Sequence, residues 1–86
     1  MPVESAKDLA DGSRVVLEGH LIDELDRNFF MFRDASGEVR VEIDKEIWRG
    51  QPIGPGDAVR IHGAVDQSRL DTEIDASHLE VLSDGD

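Results

Sequence analysis

The stretch from Phe29 to Asp44 constrains the fold of this chain more than any other. It contains three of the four aromatic residues and is divided by the tetrapeptide Asp34-Ala35-Ser36-Gly37. Aspartate and serine side chains bond to nearby backbone in turns, and glycine adopts left-handed conformations without steric cost. The stretch therefore predicts a β-hairpin with its turn at these four residues.

Two closures of the hairpin differ in which residues face each other. A three-residue loop with a glycine bulge would place Phe32 opposite Arg40, whereas a four-residue loop places it opposite Val39. Opposite residues share a face, and a slip of one residue would turn the apolar set outward. We therefore choose the four-residue loop. The residues then predicted to face the core are Phe30, Phe32, Val39, Val41 and Ile43, and those predicted to lie outside are Phe29, Met31, Arg33, Arg40 and Glu42.

The net charge limits the classes of ligand that the chain is expected to bind. The chain has 86 residues, a net charge of −11 and basic residues scattered among 20 acidic ones. Nucleic-acid-binding proteins usually carry a basic patch, so a nucleic acid is not the expected partner. An acidic surface attracts cations, basic peptides or metal ions, although such a charge also serves solubility alone.

Other sequence features concern compartment and organisation. There are no cysteines, which excludes disulfides and thiolate chemistry. No apolar run is long enough to span a membrane, and the start at Met1 lacks the basic and apolar regions of a signal peptide. The length predicts one domain over residues 1–86.

The segments before the hairpin predict a helix and a strand. Residues 3–12 predict a short helix, with Ser5 and Asp8 in a capping-box pattern and Gly12 as its stop. Residues 14–23 predict a long strand in which Gly19 marks a bulge or tight bend. Residues 24–27 predict a polar turn.

The segments after the hairpin complete the predicted sheet. Residues 45–50 predict a helical turn, with Trp48 as a lid on the core, and residues 51–57 a connecting loop. Residues 58–65 predict the fourth strand. The last strand covers residues 72–82, and its apolar phase shift predicts a bulge near Ser77.

Five short strands separated by turns indicate an all-β barrel or sandwich. The glycines in the first and fourth strands, the helical turn between the third and fourth, and the length favour a five-stranded OB-fold Greek-key barrel with a short N-terminal helix. Such a barrel binds ligands on the face of its second and third strands. A small sandwich is the alternative.

Several segments together resemble the bacterial OB-fold (BOF) family of small stress-tolerance proteins, also called the YgiW/YdeI family. They are Ala6-Lys7-Asp8-Leu9, Val16-Leu17-Glu18-Gly19, Phe32-Arg33-Asp34-Ala35-Ser36-Gly37, Val41-Glu42-Ile43-Asp44, Trp48-Arg49-Gly50 and Val59-Arg60-Ile61-His62-Gly63. The resemblance implies a periplasmic protein of stress tolerance, with a cytoplasmic location as the alternative, and it supplies no catalytic residues.

The outer hairpin face is the candidate ligand-binding site, with Phe29, Met31, Arg33 and Arg40. An aromatic side chain beside arginines can stack a base or a sugar. The structural alternative is that the N-terminal helix covers Phe29 and Met31.

The chain also offers candidate cation ligands. His20 and His62 lie on neighbouring strands of an OB barrel, and with Glu18 they would form a weak zinc or copper site, with solvated surface histidines as the alternative. The acidic residues near the C-terminus lack the order of a calcium loop and predict a diffuse field. They are Asp66, Asp71, Glu73, Asp75, Asp84 and Asp86.

No catalytic motif is present, whether a nucleophile elbow, a phosphate-binding glycine loop or a zinc-protease helix. We therefore predict a non-enzyme without a cofactor, acting as a binding module on a cationic peptide or protein partner. The alternatives are an oligosaccharide- or nucleic-acid-binding domain and a purely structural role.

Overall fold

The computed structural model describes residues 1–26, 28–48, 53–54, 56–67 and 71–82, with Trp48 described by its backbone alone. The five strands are β1 (Arg14–Asp26), β2 (Phe29–Asp34), β3 (Gly37–Glu42), β4 (Ala58–Asp66) and β5 (Glu73–Val81). The two helices are α1 (Val3–Ala6) and α2 (Lys45–Trp48).

The strands close into a barrel in the order β1-β2-β3-β5-β4. Strand β1 pairs with both β2 and β4, and β3 pairs with β5 in parallel, while the other pairs are antiparallel. This is the five-stranded Greek-key barrel of an OB-fold. The predicted fold class is confirmed, including the helical turn α2 between β3 and β4.

The hairpin has the predicted register. Phe32 pairs with Val39, Phe30 with Val41, and Asp34 with Gly37. Four of the five predicted core residues of the hairpin are buried, and Phe30 is half-buried against them. The core of the described residues comprises Val3, Ala6, Val15, Leu17, Leu21, Phe32, Val39, Val41, Ile43, Val59, Ile61, Val65, Ile74, Ala76 and Leu79.

The two mid-strand glycines lie where backbones approach closely. A methyl group on Gly19 would overlap the carbonyl oxygen of Arg33, and one on Gly63 would lie 2.5 Å from the carbonyl oxygen of Asp75. These positions therefore disfavour any side chain. The pairing of β4 with β5 shifts in register beside Gly63, whereas the pairing of β1 with β4 continues through Gly19 without a shift.

Helix α1 begins at Val3, as predicted, but it is shorter than predicted and has a different N-cap. It ends at Ala6, its N-cap is Pro2, and Ser5 lies within it, so the capping-box prediction was wrong. The hairpin turn supplies the missing acceptors, because the N–H of Val3 donates to Asp34 Oδ2 at 2.8 Å and the N–H of Glu4 to Ser36 Oγ at 3.1 Å. A tertiary contact thus replaces the local cap. Gly12 has a positive φ of 87° but lies in the turn before β1.

Strand β1 runs further than predicted, to Asp26 instead of residue 23. Its pairing with β2 continues because the register shifts between Leu21 and Asp23 and again between Glu24 and Asp26. Residues 24–26 are therefore strand and not turn. Asn28 takes a left-handed φ of 67° at the start of β2, a conformation that asparagine tolerates.

The predicted bulge in the last strand is present. His62 pairs with His78 and Gly63 with Ala76, which leaves Ser77 as the extra residue of β5. The hydroxyl of Ser77 donates to the carbonyl oxygen of His62 at 3.1 Å. The prediction that Trp48 covers the core concerns a side chain outside the described part of the chain.

Candidate ligand-binding face

The barrel presents one outer surface around β2 and β3, where OB-folds bind ligands. Cross-strand partners share a face, and the pairs here are Phe29 with Glu42, Met31 with Arg40 and Arg33 with Glu38. The structure therefore brings the four predicted binding residues onto one surface.

Carboxylates from neighbouring strands extend this surface. On β1, Asp23 pairs with Met31 and Asp26 with Phe29. On β5, Glu73 pairs with Arg40 and Asp75 with Glu42. We call the whole surface the acidic face. Its members are Asp23, Asp26, Phe29, Met31, Arg33, Glu38, Arg40, Glu42, Glu73 and Asp75.

Both arginines of the acidic face are bound to carboxylates. Arg33 donates from Nε to Glu38 Oε2 at 2.8 Å, and its Nη2 contacts the same oxygen. Arg40 Nη1 lies 3.4 Å from Glu73 Oε2, whose side chain is 4% exposed. Among the described residues of this surface, six carboxylates thus face two guanidiniums that are already paired, and these residues favour cations over anions.

Two grooves border Arg40 on this face. One, of about 670 Å³, is lined by Met31 and Arg40 together with Lys7, Asp71 and Thr72 from beyond the hairpin. The other is lined by Leu25, Asp26, Phe29, Arg40 and Glu73.

Helix α1 does not cover Phe29. The apolar residues of the helix, Val3 and Ala6, are buried in the core, and the described lining of the groove at Phe29 comes from strands alone. Of the N-terminal segment, Lys7 reaches the groove at Met31. Phe29 and Met31 are half-buried and border open grooves, so the structural alternative fails for Phe29.

His20 and His62, the weak candidates for a shared metal site, are not cross-strand partners. His20 lies opposite Ala58, whereas His62 lies opposite Val16, four residue pairs further along the strands. His62 instead lies against His78, with ring centroids 5.4 Å apart in an edge-to-face arrangement. No local sequence signal identifies this pair, because it depends on the register between β4 and β5.

A hydrogen-bonded network surrounds these histidines on the outer surface of β1, β4 and β5. Arg60 donates to Glu18 Oε2 at 2.9 Å and to Glu80 Oε1 at 3.2 Å, and both carboxylates raise the pKa of its guanidinium. His62 Nε2 also lies 3.2 Å from Glu80 Oε1. The hydrogen bonds with His62 and Arg60 lower the pKa of Glu80.

Among the described residues, no group of three histidine or carboxylate side chains is placed so that it could hold a metal ion. In the same part of the chain, no helix has the length and apolar character needed to cross a membrane.

The strand order and the helical turn define a five-stranded OB-fold barrel. The chain belongs to the Bacterial OB fold (BOF) protein family, whose signature it matches over residues 1–81. It is 39% identical over 77 residues to Protein YgiW of Escherichia coli, covering 90% of this chain and 59% of that protein. It is 35% identical over 80 residues to the calcium-regulated OB-fold protein CarO of Pseudomonas aeruginosa, covering 93% and 69% of the two chains.

Solved structures agree with this assignment. The structure of the hypothetical protein YgiW from E. coli superposes with a TM-score of 0.93 at 36% identity, covering 95% of this chain and 88% of that one. The S. pombe Stn1–Ten1 complex shares the fold, with a TM-score of 0.69 at 24% identity over 83% and 59% of the two chains. The chain spans about three fifths of the length of the YgiW protein that it matches.

Proposed function

We propose that this protein is a non-catalytic binding module that holds a cationic peptide, or a basic segment of a partner protein, on the acidic face. One observation carries the proposal. At the surface where OB-folds bind ligands, six carboxylates surround two guanidiniums, each of which is bound to a carboxylate.

Apolar side chains indicate where on the acidic face a cationic peptide would bind. Phe29 and Met31 lie among the carboxylates, and each borders a groove. Aromatic residues and methionine are enriched at binding interfaces, where they supply contact area. A peptide that alternates basic and apolar side chains would match both properties of the face.

The proposed biological setting is stress tolerance in the bacterial envelope, with the protein in the periplasm. Its support is membership of the BOF family and similarity to bacterial relatives. The module would act by binding its partner stoichiometrically, since the sequence carries no catalytic motif.

A chemical-shift titration with a short cationic peptide tests the proposal. Amides around Asp23, Met31 and Asp75 should shift, and binding should weaken steeply with added salt because exposed charges are screened over about 8–10 Å at physiological ionic strength. Salt-independent binding, or binding away from the acidic face, would contradict the proposal.

A pair of double variants with the same change in charge sharpens this test. Asp23→Asn with Asp75→Asn removes two exposed carboxylates from the acidic face, and Asp8→Asn with Glu46→Gln removes two exposed ones elsewhere. The first double variant should weaken peptide binding roughly five- to thirtyfold, since each removed carboxylate about 4 Å from a positive charge in water contributes up to about 1 kcal/mol. If both double variants weaken peptide binding equally, the net charge of the protein and not the acidic face is responsible for the binding.

The second candidate is an oligosaccharide or nucleic acid bound by Phe29, Met31, Arg33 and Arg40. It is favoured by one observation, that Phe29 and Arg40 line the same groove. In that case an oligonucleotide or glycan should shift the same amides, and Phe29→Ala should cost roughly 1–3 kcal/mol of binding. If neither a cationic peptide nor an oligonucleotide or glycan shifts the amide signals, a structural or assembly role becomes the hypothesis to test.

A further inference from the structure

The outer surface of β1, β4 and β5 carries a histidine pair that the proposed function does not use. His62 and His78 are direct cross-strand partners, so their side chains leave the sheet on the same side. Glu80, two residues after His78, projects from that same side. We call these three residues the histidine cluster.

Both imidazoles present the same nitrogen to one carboxylate. His62 Nε2 lies 3.2 Å from Glu80 Oε1, and His78 Nε2 lies 4.0 Å from Glu80 Oε2. Two ligand atoms bound to one tetrahedral zinc ion lie about 3.3 Å apart, given metal–ligand bonds of about 2.0–2.1 Å. The pair formed by His62 and Glu80 already has this separation.

The third ligand requires a small movement. His78 Nε2 faces Glu80 Oε2, the other oxygen of the carboxylate, and would have to approach it by about 0.7 Å to reach the same separation. Its side chain is 62% exposed, so rotation about its own bonds meets little packing. As they stand, the three side chains do not form a group that could hold a metal ion, so the site forms only when His78 moves.

The neighbouring arginine does not prevent a cation from binding. Arg60 contacts Glu80, but it also donates from Nε to Glu18 at 2.9 Å. Glu18 therefore keeps the guanidinium paired if Glu80 turns to a metal ion. Glu18 and Glu80 carry two negative charges against the one positive charge of Arg60, which leaves an excess negative charge beside the two imidazoles.

We propose that His62, His78 and Glu80 bind a divalent transition-metal cation such as Zn²⁺, with water completing its coordination. Two imidazoles and one carboxylate are a ligand set that zinc accepts in proteins with an open fourth position. Imidazole nitrogen also selects for transition metals over calcium and magnesium, which prefer oxygen ligands. This site lies on a different surface from the acidic face and is independent of the proposed function.

Zinc titration of the isotope-labelled protein, followed through the imidazole and amide signals, tests this site. Zn²⁺ alone should shift the signals of His62 and His78 and of the backbone around them. His78→Ala should weaken zinc binding by about tenfold or more, since loss of even an indirect partner of a metal ligand costs 10–100-fold. Glu80→Gln should weaken it in the same direction.

His20→Ala is the matched control, because His20 is an exposed histidine on β1 that lies opposite Ala58 and outside the cluster. Its zinc affinity should equal that of the original protein. Calcium at the same concentration should leave the imidazole signals unchanged. The site is refuted if zinc produces no imidazole shifts at millimolar concentration, if His20→Ala weakens binding as much as His78→Ala, or if calcium reproduces the shifts.

Discussion

The acidic face around β2 and β3 and the outer surface of β1, β4 and β5 follow the same alternating strand pattern but carry different chemistry. On the acidic face, each arginine is bound to a carboxylate and further carboxylates surround them, beside Phe29 and Met31. On the second surface, Arg60 lies between Glu18 and Glu80, and two imidazoles meet at Glu80.

The difference shows how one net charge can produce two kinds of surface. Excess carboxylates spread over a face with apolar grooves favour an extended cationic ligand, whose attraction is screened by salt. Nitrogen and oxygen donors gathered at one point favour a single metal ion. The net charge of −11 is common to both and distinguishes neither.

The largest expected effect comes from the core that both surfaces share. Phe32 is fully buried, and Phe32→Ala should lower the free energy of unfolding by about 3–5 kcal/mol through lost burial and the cavity left behind. Chemical denaturation measures this change. Val16→Ala, at a side chain that is 41% exposed, is the control and should change stability much less. A similar loss for both variants would mean that Phe32 does not lie at the centre of the barrel.

A glycine substitution should disturb the β4–β5 side selectively. In Gly63→Ala the new methyl group meets the backbone of Asp75, so we expect a loss of roughly 1–3 kcal/mol. Gly56→Ala is the matched control, since a methyl group there meets no atom within 4 Å. Amide shifts should concentrate around the histidine cluster. Equal stability of the two variants would contradict the close approach of β4 and β5.

A third prediction concerns the edge of the hairpin that carries the acidic face. Asp34→Ala removes the acceptor for the N–H of Val3 and for the turn, and should cost about 1 kcal/mol, as the loss of a helix cap does. Thermal or chemical unfolding measures the loss. Asp8→Ala, an exposed aspartate of the same N-terminal segment, should have little effect. If the two variants lose the same free energy of unfolding, the hairpin turn does not stabilise α1.

The same contact predicts a dependence on pH. Burial raises the pKa of Asp34, but hydrogen bonds from the Ser36 hydroxyl and from the N–H groups of Val3, Ser36 and Gly37 outweigh it and lower the pKa below its usual 3.8. A carboxyl group with a lowered pKa stabilises the folded state above the unfolded pKa, and this stability is lost as pH falls through the folded pKa. The stability difference between the original protein and Asp34→Asn should therefore shrink on acidification below pH 3.8. A difference that is constant with pH would contradict the carboxylate's role.

The smallest expected effect is that of the exposed ion pair on the acidic face. A double-mutant cycle with Arg33→Gln and Glu38→Gln should give a coupling of about 0.2–1 kcal/mol, because exposed pairs are solvated and lose side-chain entropy. The coupling should decrease with salt. A much larger and salt-independent value would show that the pair is structural and not a screened part of the surface.

Local patterns were sufficient to predict most of the fold. The turn Asp34–Gly37 and the placement of apolar residues specified the hairpin register, and the phase change after Ala76 specified the bulge at Ser77. The four predicted residues of the candidate face meet on one surface because the register fixes which side chains alternate outward.

The errors occurred where a distant segment replaced a local signal. Ser5 has the sequence of a helix cap, but Asp34 and Ser36 supply the acceptors from 31 and 32 residues away. His20 and His62 lie on neighbouring strands, yet the pairing of β4 with β5 brings His78 to His62 instead.

The sequence by itself determined the barrel class, the hairpin register and the acidic character of the protein, because turn residues and period-two alternation act over a few neighbouring positions. Only the tertiary structure decided which charges meet. Closure of the barrel placed Glu73 beside Arg40 and Glu80 beside His62, across 33 and 18 residues of chain. No local pattern encodes such contacts, since they depend on the register between strands that are distant in the sequence.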